Sequence, residues 1–340
     1  MRTTIPVCIV GIMSKQIGVL PVVTTATAAT AFVVTWSSGF IIPAFATVEV
    51  SPLTLLVWRF APLAVALLVL VVVSGAATGM HRRELRIQAS IGIFAQFGYC
   101  IAVYGAVAAG IATGTVALID AVQPLVVAVL VGPILGLRVR GAQWVGLGVG
   151  AIGVLLVVQS QLGATEAPPA AYALPAVAMV CLIVGTLLQR KTGVQTGVLV
   201  TLTVHVTVTA ALLVVIAAVT GTLVPPASGS FWLAVVLTAA APTLAAYGLY
   251  WWLLKRIGIT ALQALLFLIA PTTSLAGTIL LGEPLTILTI AGFALCGAGV
   301  ALVLVSEVRS ARVDSRRGAS TRPDDAQRLS RPEHRTVEEW

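Results

Sequence analysis

Ten stretches of about 20 nearly uninterrupted apolar residues follow one another between about Val22 and Ser306, and this recurrence constrains the chain more than any motif in it. Each is long enough to cross a hydrocarbon core about 30 Å thick as an α-helix. With 59% hydrophobic and 9% charged residues, a soluble fold would leave a greasy surface. The chain therefore reads as an all-α integral membrane protein, because a helix satisfies its backbone hydrogen bonds within one apolar segment. The spans fall at about 25–46, 52–74, 88–109, 112–136, 141–160, 172–189, 198–220, 231–254, 259–282 and 285–306. Turn residues mark the breaks, among them Gly110, Gly141, Pro168 with Pro169, and Gly258.

A net charge of +8 would suggest an acidic or nucleic-acid partner if it formed a surface patch, but here it follows topology. Arg82, Arg83 and Arg86 follow span 2, Arg138 and Arg140 span 4, Arg190 and Lys191 span 6, and Lys255 and Arg256 span 8. Eight more arginines follow span 10, from Arg309 to Arg335, and the odd-numbered connections contain no Lys or Arg. Lys and Arg accumulate on the cytoplasmic side, so both termini are expected there and nucleic acid is not a partner. A missed or extra span would spoil the alternation downstream, so the pattern also supports the count of ten.

The expected organisation is a cytoplasmic segment (1–24), a first five-span repeat (25–160), an external linker (161–171), a second repeat (172–306) and a disordered cytoplasmic tail (307–340). Residues 1–12 read as a misassigned extension with Met13 as the start. Cys8, Cys100, Cys181 and Cys296 sit in or beside apolar runs with no metal-ligand spacing, so neither disulfide, metal nor cofactor is expected.

The two halves repeat. Thr113, Ala117, Leu118 and Pro124 recur 147 positions later as Thr260, Ala264, Leu265 and Pro271, while Gly136, Gly146 and Gly153 recur 146 later as Gly282, Gly292 and Gly299. Five spans per unit is an odd number, so the second unit enters the membrane inverted. Inverted repeats of this kind place a substrate site near the midplane between the halves.

WSSGF (36–40), SPLTLLVWRF (51–60), FGYCIAVYGAVAAG (97–110), the 113–124 segment and LLGEPLT (280–286) together resemble the drug/metabolite transporter superfamily, specifically its EamA-type ten-helix members. The similarity covers about residues 30–305. It implies a cytoplasmic-membrane carrier of small metabolites, often an exporter of amino acids or related compounds, and sparse lysine beside abundant Arg, Ala, Val and Gly points to a bacterial genome. The family often carries Gly-Glu after the fourth helix of each repeat. Here the first copy reads Gly136-Leu137-Arg138 and only the second keeps Gly282-Glu283.

Ionisable residues inside a bilayer are costly and generally face the bundle interior, so Arg59, Asp120 and His205 are the leading candidates for function. Arg59 and Asp120 lie at similar depth, about 11 to 12 Å from the external face at 1.5 Å per residue, which allows an ion pair. The alternatives are Arg59 holding a substrate carboxylate, or Asp120 a proton or organic cation. His205, 146 positions after Arg59, reads either as a neutral side chain bonded across helices or as a proton relay. Trp36, Gln96, Tyr99, Gln123 and Tyr247 complete the expected pocket, with Tyr104, Tyr250 and Gln263 as further aromatic and amide residues. Trp251 and Trp252 read as interface anchors, and Pro124 and Pro271 as helix kinks, either purely structural or serving gating.

The favoured function is a secondary carrier working by alternating access, its partners a small-molecule substrate and the bilayer. Proton coupling and a homodimer are left open. The alternative is a lipid or drug translocase, then a non-transport membrane scaffold. Catalysis is set aside because one Asp and one His do not make a cluster of acid, base and nucleophile.

Overall fold

The computed structural model describes residues 19–48, 50–123, 126, 141–161, 167–193, 196–299, 301, 302 and 305. Pro124, the 1–12 extension and the 307–340 tail lie outside the described residues, as do Glu49, residues 162–166 and the side chain of Gln263. All regular structure described is helical. The ten helices are α1 (Val19–Ala46), α2 (Pro52–Ser74), α3 (Arg82–Ala108), α4 (Thr113–Ala121), α5 (Gly141–Gln161), α6 (Ala173–Thr192), α7 (Val198–Thr220), α8 (Gly229–Leu253), α9 (Leu268–Leu281) and α10 (Ile287–Gly299).

Local chemistry sets the boundaries. The Ser51 hydroxyl accepts a hydrogen bond from the Thr54 N–H at 3.2 Å, and Pro52 occupies the first helical position, where its missing N–H costs nothing. The other end of α2 stops at Gly75 with φ 63°, and α7 stops 146 residues later at Gly221 with φ 71°. Both close a helix in the left-handed conformation that glycine adopts without penalty. Along α2, Leu55, Leu56, Arg59, Phe60, Leu63 and Leu67 are buried while Val65, Val69, Val72 and Val73 are exposed, an apolar outer face that suits lipid.

Helical backbone runs unbroken from Ala246 to Leu281. Straight, it would reach about 54 Å, well beyond a bilayer core. Its contacts show instead that it doubles back. Arg256 donates to Thr25 at 3.5 Å, Tyr250 packs 6.3 Å from Phe32, and Pro242 abuts Gly39, so α8 runs antiparallel to α1. Ser37 then donates to the Ile269 carbonyl at 3.4 Å, and Leu281 and Glu283 reach the hollow lined by Thr47, so α9 runs parallel to α1. The reversal therefore falls between Arg256 and Ile269, the interval in which the break at Gly258 is expected.

The halves interlock. α2 packs on α7, α4 on α9, α3 on α6 and α7, and α1 on α8 and α9. The duplicated glycines of α5 and α10 meet one another. A Cβ on Gly153 would lie 2.7 Å from the Gly292 carbonyl, one on Gly292 2.7 Å from the Gly153 carbonyl, and one on Gly299 2.8 Å from the Gly150 nitrogen. Backbones this close need residues without side chains, which is how membrane helices associate when lipid offers no hydrophobic drive. The glycine repeat in the sequence is therefore a helix crossing in the fold.

α3 and α8 each contain one π-helical turn, at Ile93–Gly98 and Ala239–Ala245, again 146 positions apart at their starts. The second has a visible cause. Pro242 brings no N–H to the helical ladder and its ring crowds the carbonyl four residues back, that of Thr238. The Thr243 hydroxyl donates to that carbonyl at 3.0 Å in place of the lost backbone bond. The first π turn contains no proline and lies between Gly92 and Gly98, which pack closely on His205 and Cys181 respectively.

Candidate functional site

α4 is buried without interruption from Thr113 to Ile119, and Asp120 is its first half-buried residue. Tyr99, on the first turn of α3 after the π turn, donates its hydroxyl to Asp120 Oδ2 at 3.0 Å. Asp120 Oδ1 is buried with no hydrogen-bond partner. One turn away on each helix, Gln96 points its amide at the Cys100 sulfur at 3.6 Å and Gln123 donates to Thr186 of α6 at 3.2 Å. Tyr99, Asp120 and Gln123 thus form a polar seam where α3, α4 and α6 meet, and Gln96 lies three residues before Tyr99 on α3. An orphaned carboxylate oxygen in a bilayer interior is a strong acceptor without a donor, the condition a ligand cation or a proton relieves.

Arg59 is not bonded to this seam, and the ion pair with Asp120 that similar depth would allow is not formed. Its Nε and Nη2 both donate to Thr243 Oγ1, at 3.2 and 2.8 Å, and Nη1 donates to the Tyr104 hydroxyl. The guanidinium carbon lies 4.7 Å from the Phe60 ring centroid and 5.4 Å from that of Tyr104, so aromatic faces cushion the charge. Equal depth along two helices did not bring the two side chains to one azimuth. Arg59 instead secures the threonine that closes the proline-induced π turn of α8. A guanidinium carries five N–H groups, so each terminal nitrogen retains one uncommitted donor.

His205 stands at the related place in the other half. It packs against Gly92, where a Cβ would lie 3.0 Å from the His205 Cα, and its Nε2 lies 3.1 Å from Gln88 Oε1. The Gln88 amide in turn reaches Thr196 at 3.0 Å and Gln189 at 3.4 Å. Arg59 and His205 therefore each brace the bent helix of the opposite repeat, one directly on the π turn and the other just before it.

Trp36 and Tyr247 belong to an aromatic run between α1 and α8. Trp36 meets Phe32 at 5.4 Å, and Tyr247 and Tyr250 meet Trp251 at 6.3 and 5.7 Å. Trp252 is 45% exposed, as an interface anchor would be, whereas Trp251 is turned inward with its indole N–H buried. Pro271 lies within continuous helical backbone, with the Ser37 hydroxyl bonded to the Ile269 carbonyl two residues before it.

At the end of the bundle free of Lys and Arg, Glu283 closes on the start of α4. Thr113 donates its N–H to Oε1 at 2.7 Å and its hydroxyl to Oε2 at 2.9 Å. Burial pushes the Glu283 carboxyl above its ordinary value, and the hydrogen bonds from Thr113 and Gly114 draw it only partly back. A surface hollow of about 310 Å³ opens here, lined by Thr47, Ile111, Thr113 and Glu283 among others. It lies apart from the midplane residues expected to form the pocket and contains none of them. Thr243, Gln88 and Thr186 were not singled out from the sequence. The Pro242-Thr243 pair inside a span was the signal that would have pointed to the first of them.

No curated protein matches the chain in sequence. Sixteen chains of solved structures match its fold. One of them, a crystal structure titled only as that of a protein, is 21% identical with a TM-score of 0.58, covering 84% of this chain and 98% of its own, and this likeness speaks for the fold alone. A family model matches both halves, over residues 24–159 and 165–305. Among the described residues the ten helices, the duplicated glycine crossings and the paired π turns are the structural counterpart of that double match, and the chain belongs to the EamA-like transporter family, membrane transporters of small substrates.

Proposed function

We propose that this protein is a secondary carrier that exports a small metabolite, an amino acid or related compound, across the bacterial cytoplasmic membrane by alternating access. The two inverted repeats would rock about the polar seam, with the Lys- and Arg-free end external. The carrying observation is the Asp120 carboxylate: one oxygen is bonded to Tyr99 and the other is buried without a partner. That oxygen suits a protonated amine, with Gln123 and Gln96 beside it as neutral polar contacts. Arg59 supplies the complementary pole, since it is not spent on Asp120 and retains uncommitted N–H groups toward a carboxylate. His205 fits a brace better than a relay, because its one ring partner is the Gln88 amide.

The experiment is a metabolite-tolerance and accumulation screen in cells overproducing the chain, beside an Asp120→Asn variant matched for membrane level. Export predicts at least one amine-bearing compound whose tolerance rises with the parent and not with the variant. If no compound separates the two at equal protein level, Asp120 is not the centre of a substrate site.

A further inference from the structure

The clasp between Glu283 and Thr113 joins the connection after α9 to the first residue of α4, and nothing in the proposed substrate site requires it. The carboxylate takes both a backbone N–H and a hydroxyl from one residue, at 2.7 and 2.9 Å. The helices beneath are built to let it in. A Cβ on Gly277 would collide with the Glu283 carboxylate and lie 2.7 Å from Thr113 Oγ1. A Cβ on Gly114 would lie 2.7 Å from the Ser274 Cα, so α4 and α9 touch backbone to backbone just below the clasp. The repeat supplies the comparison. Thr113 recurs as Thr260, the same receiving residue, but the position related to Glu283 is Leu137, whose alkyl side chain accepts no hydrogen bond.

We propose that Glu283 is a one-sided gate latch: its carboxyl group, gripped by Thr113 and admitted by Gly277, holds the α4–α9 end shut, and the related position in the other repeat carries no such group. An inverted-repeat carrier with matched halves would have two gates of equal strength. This chain has a group that biases the resting equilibrium toward closure at the Glu283 end. The inference rests on the alternating-access reading. It adds to that reading which gate is held, by which residue, and that Glu283 acts as a positioning residue without touching substrate.

The test uses the purified full-length chain with one added reporter cysteine labelled by a maleimide, the parent chain with its four native cysteines serving as blank. Ala112→Cys, 6% exposed beside the latch, reports opening, and Ala108→Cys, already exposed nearby, gives the reference rate. Two lost hydrogen bonds are expected to raise the Ala112→Cys rate at least about tenfold relative to the reference in Glu283→Ala. Gly277→Ala, which expels the same carboxyl by steric contact, is expected to raise it comparably. Glu283→Gln retains an acceptor for the Thr113 N–H and a donor for its hydroxyl, so it should stay within about threefold of the parent. An Ala variant within threefold of the parent, or a Gln variant as fast as the Ala variant, overturns the latch. The latch and the carrier reading fail separately. Unmoved labelling beside a compound found in the screen rejects only the latch. Faster labelling in Glu283→Ala with no compound found rejects only the export reading.

Discussion

Replacing Thr243 by Val keeps the side-chain shape, removes the hydroxyl and so tests the brace on the second π turn. Three hydrogen bonds depend on that oxygen: two received from Arg59 at 3.2 and 2.8 Å and one given to the Thr238 carbonyl at 3.0 Å. In water-soluble proteins a charge-assisted bond contributes about 1.5 to 3 kcal/mol, and a buried carbonyl left bare costs about 1 to 3 kcal/mol. Both Arg59 bonds share one acceptor, so they count as roughly one strong interaction, and the sum is about 2.5 to 6 kcal/mol. Hydrogen bonds between membrane helices average only about 0.6 kcal/mol because the unfolded chain also finds partners in lipid, which sets a lower bound near 1 kcal/mol. Reversible unfolding by SDS in mixed micelles measures the loss, with Thr243→Ser, which restores the hydroxyl, expected within about 0.5 kcal/mol of the parent. If Thr243→Val also lies within 0.5 kcal/mol, Arg59 does not depend on Thr243 and the brace is refuted.

Gly299→Ala drives a methyl onto the α5 backbone near Gly146 and Gly150 and should cost about 1 to 3 kcal/mol in the same assay, while Gly148→Ala, with open space around its Cβ, should cost little. Equal losses at the two sites would remove the argument for a glycine crossing. For Glu283, burial raises the carboxyl above its ordinary 4.5 in the closed form. Its proton therefore favours closure, an advantage fully present below pH 4.5 and lost as pH rises through the raised value. No other described residue lining that hollow is titratable. Labelling of Ala112→Cys relative to Ala108→Cys should therefore increase with pH in the parent background and stay flat with Glu283→Gln. A parent ratio that is flat or falls with pH contradicts this sign.

Much of the architecture was legible in the residue order. Ten helices follow from ten apolar runs because a continuous run of about 20 apolar residues satisfies its backbone within itself as a helix. The offset of 146 to 147 residues announced two copies of one unit, and it reappears in the caps at Gly75 and Gly221 and in the starts of the two π turns. Asp120, Tyr99, Gln96 and Gln123 could be singled out as polar residues in apolar company, and in the fold Tyr99 bonds to Asp120 while Gln123 bonds to Thr186 of α6.

What the residue order could not supply was azimuth. Depth along a helix follows from counting residues at 1.5 Å each, so the similar depths of Arg59 and Asp120 were readable. The direction of a side chain around the helix depends on every turn before it, and a π turn adds about one residue, rotating all that follows by roughly 100°. Such turns lie in α3 and α8, and they decide that Arg59 meets Thr243 and Tyr104 while Asp120 meets Tyr99. The Glu283 clasp escaped for a related reason, since its partner is 170 residues away and only the α4–α9 crossing brings the two together. Hydropathy and repetition alone thus determined the membrane fold and its symmetry, because both act along the chain. Tertiary packing decided which polar groups are spent on one another and which are left for a ligand, because that depends on how helices face across it.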